Sequence, residues 1–160
     1  MKLIRVLALV VAGGLLLSAC GGQSDEDRAQ GFAMKACGIS IDEGGDPARD
    51  SDGVVQFDDS IGTDLINLDT DPITDLQNLF DLLSDRASNA QAASQLDSTW
   101  SSLADGLTLR VGLLSDSVSA RKRGENPFDN SVTNSDIDNY NQALSEWTSE
   151  CSGLATLLSE

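Results

Sequence analysis

Histidine is absent from this 160-residue chain, and only three cysteines and three lysines occur. The missing imidazole removes His-dependent catalytic dyads and triads, and with them the commonest zinc ligand. No GxSxG pattern compensates, and the serines beside Trp100 have no general base of the histidine type. Carboxylates abound, yet nothing singles out a pair for glycosidase chemistry. The expectation is a protein that is not an enzyme and uses no diffusible cofactor. Apolar runs are short too: Leu7 to Leu17 falls below the roughly 20 residues a membrane-spanning helix needs. Positive charge is scarce, with 10 Lys and Arg against 26 Asp and Glu and a formal charge of −16. Such a surface repels polynucleotides and anionic headgroups, so nucleic acid is excluded as a partner.

What is present begins with a three-part N-terminus. Lys2 and Arg5 supply a positive start, an apolar core follows, and Leu17-Ser18-Ala19-Cys20 closes it with small residues and a thiol. That is the anatomy of an export signal rather than of a membrane span. Residues 17–20 resemble the lipobox of bacterial lipoproteins, with an ordinary secretory signal and an incidental cysteine as the plainer alternative. The resemblance implies cleavage of residues 1–19 and a covalent diacylglycerol with acyl chains on Cys20. It also implies a polar tether over 20–25 and an anchor on the extracytoplasmic face of the cell membrane. Two or three acyl groups hold firmly where one holds only marginally. Cleavage removes Lys2 and Arg5 and no acids, so the formal charge moves from −16 to −18.

Two cysteines then remain, Cys37 and Cys151. In an oxidising compartment an even pair reads as a disulfide. It would close a loop of more than 100 residues, worth about 4–5 kcal/mol in the chain-entropy model. A reactive thiol is the rival reading, but no histidine exists to activate it.

Helical periodicity governs much of the rest. Acids at Asp25 to Asp27 and Gly38 bracket a helix over about 26–37. Ile73, Leu76, Phe80, Leu83, Ala87 and Ala90 step by three and four over about 73–92, behind Asp71-Pro72 as cap and first-turn residues. Trp100, Leu103, Leu107, Val111, Leu114 and Val118 repeat the pattern over about 98–120, which ends at Arg121-Lys122-Arg123-Gly124. Ile137, Tyr140, Leu144, Trp147, Cys151, Leu154 and Leu158 continue it without a miss over about 135–158. Between the last two helices, residues 125–134 read as a loop. Residues 38–72 carry turn chemistry around Gly44-Gly45-Asp46-Pro47, Asp50-Ser51-Asp52-Gly53 and Asp69-Thr70-Asp71-Pro72. The expectation is an all-α fold: a small four-helix bundle over residues 26–160, with a long irregular crossover at about 38–72. Short connections make consecutive members of the last three helices antiparallel. The chain as a whole is similar in style to the small acidic helical lipoproteins of actinobacteria. "DPITDLQNLFDLL", "LDSTWSSLADGL" and the helix carrying Cys151 are the stretches that bear the likeness. That likeness implies location and architecture, and adds little about mechanism.

Candidate sites are few. Asp50, Asp52 and Asp59 fall at positions 3, 5 and 12 of an EF-hand-like loop aligned on Gly53. Ala48 at position 1 and the short Asp59 at position 12 depart from that pattern, and an acidic turn is the simpler reading. Arg121-Lys122-Arg123 either caps a helix by charge or docks an acidic group. Phe80, Trp100, Tyr140 and Trp147 either fill the core or line an apolar pocket. The leading expectation is a membrane-anchored interaction module or accessory subunit whose partner is an envelope or membrane protein. The alternative is a small-molecule or lipid carrier with a pocket between the last three helices, and a calcium-stabilised binding domain follows behind it.

Overall fold

The computed structural model describes residues 23–59, 68–69, 71–130 and 132–160. The export signal, the lipobox and Cys20 lie outside the described residues, as does the middle of the crossover. The fold is all-α. Its elements are α1 (Asp25–Ala36), α2 (Ile73–Leu96), a 3₁₀ turn (Ser98–Trp100), α3 (Ser101–Lys122), α4 (Pro127–Asn130) and α5 (Asn134–Ser159). Among the described residues there is no strand, only two isolated bridges, Ile41 with Pro47 and Arg49 with Val55.

Each long helix buries the stripe its sequence announces. Leu76, Leu83, Ala87 and Ala90 are buried on α2, and Leu103, Leu107, Leu114 and Val118 on α3. Tyr140, Trp147, Cys151 and Leu154 are buried on α5. Burial of such side chains, at about 1.5–3 kcal/mol each for the larger ones, is what holds these helices together, because propensity alone is too weak. α2 packs along both α1 and α3, and α3 packs along α5. The α2–α3 pair is antiparallel: Arg121, at the end of α3, donates to the carbonyls of Leu68 and Asp71 just ahead of α2. The α3–α5 pair is antiparallel as well, since Gly106 lies against Ala143 while Arg110 reaches back to Tyr140.

The boundaries have local causes. Ser24 caps α1 through a reciprocal capping box with Asp27, so the residues assigned to the tether end inside the first helix. Thr133 and Asp136 do the same for α5. Such a box satisfies two amide donors that a helix start leaves open. At the other end of α1, Ile39 donates to Met34 and Gly38 to Lys35, with Gly38 at φ 66°. This left-handed stop suits glycine. Here it has a second reason, because a Cβ on Gly38 would lie 2.6 Å from the Arg86 guanidinium.

Three sequence expectations are corrected. Residues 125–134 are not purely loop, because Pro127 starts the one-turn α4 and the Asn126 side chain accepts from the Phe128 amide. Asp71 and Pro72 do not cap α2 with a side chain: Pro72 occupies the cap position and its carbonyl receives the Asp75 and Leu76 amides. α2 also runs on to Leu96, where Asp97 breaks it and caps the following 3₁₀ turn.

Cys37 and Cys151 form the expected disulfide, with Cα atoms 5.3 Å apart and 114 residues between them in sequence. Both are fully buried. The bridge fastens the end of α1 to the last third of α5.

Candidate functional site

The four aromatic residues do not converge on one pocket. Tyr140 and Trp147 are buried together, whereas Phe80 and Trp100 are only partly covered where they pack on the core. What joins Tyr140 to Trp147 is Arg110, a fully buried residue of α3. Its Nη2 donates to the Tyr140 hydroxyl at 2.9 Å. Its guanidinium carbon lies 4.9 Å from the Tyr140 ring centre and 5.5 Å from that of Trp147. Burial pulls the Arg110 guanidinium below its ordinary value and pushes the Tyr140 phenol up. Arginine nonetheless stays protonated, so a cation is held in the core by ring faces and hydrogen bonds.

A second arginine approaches Trp147 from α2. Arg86 is buried, sits 6.0 Å from the indole ring centre, and pairs with the Asp58 carboxylate while its Nη1 donates to the Asp58 carbonyl. Phe57, one residue earlier, meets Trp147 edge-on at 5.8 Å. Trp147 is therefore the hub where α1, α2, α3, α5 and the crossover meet: its Nε1 also points to the Ala36 carbonyl, 3.5 Å away. Sequence reasoning missed both arginines. The signal was present, because Arg110 shares the helical face of Leu103, Leu107 and Leu114, and Arg86 that of Leu83 and Ala90.

The acidic turn is self-contained. Asp50 accepts from the amides of Asp52 and Val54 and from the Gln56 side chain. The Val54 amide is the largest cause of its lowered pKa. These bonds hold the Asp50 oxygens to their own loop, and among the described residues no group of three His, Cys, Asp or Glu could hold a metal. The basic cluster divides. Arg121 is bound to the carbonyls of Leu68 and Asp71, Arg123 pairs with Glu125, and Lys122 is exposed.

A groove of about 320 Å³ runs between α3 and α5, lined by residues such as Asp105, Gly106, Leu109, Asn139, Ala143 and Glu146. A smaller one of about 150 Å³ continues it past Leu109 to Leu113, Asp116 and Asp136. None of Phe80, Trp100, Tyr140 and Trp147 lines either. Leu109 is shared by both and is 42% exposed, a large apolar side chain left in water. Lysine and arginine are absent from both linings. Just beyond the groove, burial raises the Glu150 carboxyl, and Glu146 one turn away adds to the effect. Gly106 is not required by the packing of α3 on α5: a Cβ there would meet Ala143 at 3.7 Å, an ordinary contact. A helix-interior glycine costs about 0.5–1 kcal/mol relative to alanine, so its presence widens the groove at some expense to the helix. The signal for this groove was Leu109, which is off the α3 core stripe yet apolar.

No family model matches the chain, and no curated protein or solved structure matches it.

Proposed function

We propose that the protein is a lipid-anchored, extracytoplasmic interaction module, tethered through Cys20 and presenting a four-helix bundle to a basic partner in the envelope. The observation that carries the reading is the distribution of charge. Arg86 and Arg110 are buried, while Arg49 and Arg121 are bound to backbone carbonyls. Arg28 and Arg123 pair with neighbouring acids. The described arginines are all engaged within the fold, and the exposed Lys35 and Lys122 are far outnumbered by the surface carboxylates. A surface of one sign speeds and selects encounters with the opposite sign more than it adds raw affinity. The packing of α1 on α2, α2 on α3 and α3 on α5, with Cys37–Cys151 joining the ends of that series, supports the bundle arrangement.

The anchor rests on the lipobox-like Leu17-Ser18-Ala19-Cys20. No helix among the described residues is long and apolar enough to cross a membrane. Replacing Cys20 with Ala tests it: the wild-type protein should fractionate with membranes and the variant should not. A variant that stays membrane-bound would remove the lipoprotein reading. The partner is tested by crosslinking the native protein in membranes and identifying what is attached by mass spectrometry.

A further inference from the structure

We propose that the α3–α5 groove is the docking site of that module, and that its occupant is a basic amphipathic helix of a partner protein. The inference rests on the interaction-module reading above and gives it a place on the fold. Three features of the groove select the occupant. Its apolar lining is Leu109 and Leu113 beside the small Gly106 and Ala143, set among the polar Ser102, Asn139 and Gln142. Both walls carry carboxylates, Asp105 and Asp116 from α3 and Asp136 and Glu146 from α5, and no cation answers them within the groove. Its reach is long: Ser102 to Asp116 spans about 21 Å of helix at 1.5 Å per residue, the length of a four-turn helix.

Each feature maps onto one part of a ligand. An apolar stripe at i, i+3 and i+4 covers Leu109 and Leu113, which water now contacts. Lysine or arginine on either side of that stripe meets a carboxylate on each wall. The absence of a side chain at Gly106 lets a backbone lie close to α3. Anionic ligands are repelled by the same walls. Free polyamines match the charge but leave the leucines uncovered.

The test uses the full mature chain, residues 20–160 with Cys20→Ser to keep it in solution. The probe is an 18-residue amidated peptide of Lys, Leu and Ala with its leucines on one helical face. A scrambled peptide of the same composition is the control. At 0.15 M salt the striped peptide should bind at least tenfold more tightly than the scrambled one. It should shift backbone amide NMR signals of residues 102–116 and 136–146 and leave those of 73–90 in place. Leu109→Gln should weaken binding at least tenfold, while Leu157→Gln, which alters a still more exposed leucine elsewhere, should not. Asp105→Asn with Glu146→Gln should weaken binding and flatten its salt dependence. Because both leucines are exposed, circular dichroism should find each leucine variant folded.

Equal binding of the scrambled peptide, shifts spread over every acidic face, or no binding of either peptide would overturn the groove assignment. So would a Leu109→Gln variant that binds like the wild type. None of these results touches the interaction-module reading, which fails separately if the native protein in its membrane has no partner.

Discussion

α5 and the described part of the crossover, residues 38–59, are stabilised by different means. α5 satisfies its own backbone by hydrogen bonds within the helix, so it needs from its sequence only an apolar stripe and a cap. The crossover has only short turns of its own, with bonds such as Ala48 to Ser40 and Asp50 to Val54. Side chains from distant parts of the chain fasten those turns to the helices. Ser159 at the end of α5 accepts from the Val55 amide through its hydroxyl. Arg86 from α2 holds Asp58. In the other direction, Arg49 reaches out of the crossover to the carbonyls of Leu158 and Ser159. Only then do Ile39 and Val55 act as buried plugs. The helices are a frame that local rules can build; the crossover is a strap that needs fasteners, and in this acidic protein the fasteners are arginines.

The largest expected break of that comparison is loss of the disulfide, which joins frame to frame. Cys151→Ser should lower stability by about 4–5 kcal/mol on the chain-entropy account. Urea unfolding measures it, and reductant should bring the wild type down by a similar amount. Arg86→Met comes next, at about 2–3 kcal/mol for the loss of its charge-assisted contact to Asp58. Its signature is regional: amide exchange should quicken across residues 38–59 while the α5 core keeps its protection. Uniform acceleration across both regions would erase the distinction between strap and frame. Tyr140→Phe removes the hydroxyl that receives Arg110 and should cost about 1–3 kcal/mol, read by thermal unfolding. Thr133→Ala strips the α5 cap for about 1 kcal/mol. NMR should find the first turn of α5 frayed and the crossover unchanged.

The smallest effect is a matter of pH. Burial holds the Glu150 carboxyl above its ordinary value of 4.5, so its ionisation opposes folding at neutral pH. Glu150→Gln should therefore raise the melting temperature at pH 7. The gain should shrink as pH falls through the folded-state pKa and vanish below 4.5, where the wild-type carboxyl is protonated folded or unfolded. Asp50 and Asp136 act with the opposite sign. Their lowered pKa values contribute stability that is present above 3.8 and lost as pH falls through the folded values. Both carboxyls are exposed to solvent, so screening keeps their share small.

The sequence made the frame easy to read and the strap hard. The stripe from Ile137 to Leu158 follows from helical periodicity alone, and all of it is buried or partly buried in the fold. The disulfide followed from counting cysteines. The capping boxes at Ser24 and Thr133 were legible from residue spacing, but their partner is Asp, shorter than the usual Glu or Gln. Arg49, Arg86 and Arg121 act over separations of 28 residues or more, and no local pattern announces which carbonyl a guanidinium will find. The groove shares that obscurity. Leu109 is visible as an apolar residue out of phase, but the acids that face it come from a helix some 30 residues away.

One measurement tests the central claim, that this is a membrane-tethered module working through its acidic helical face. A photo-crosslinking amino acid is placed at Leu109, and separately at Leu157, in the lipidated protein in its own membrane. Attached proteins are then identified by mass spectrometry. The account predicts one recurrent basic partner, captured in near-equal amount from Leu109 and not from Leu157. A clean monomer from both positions would contradict it.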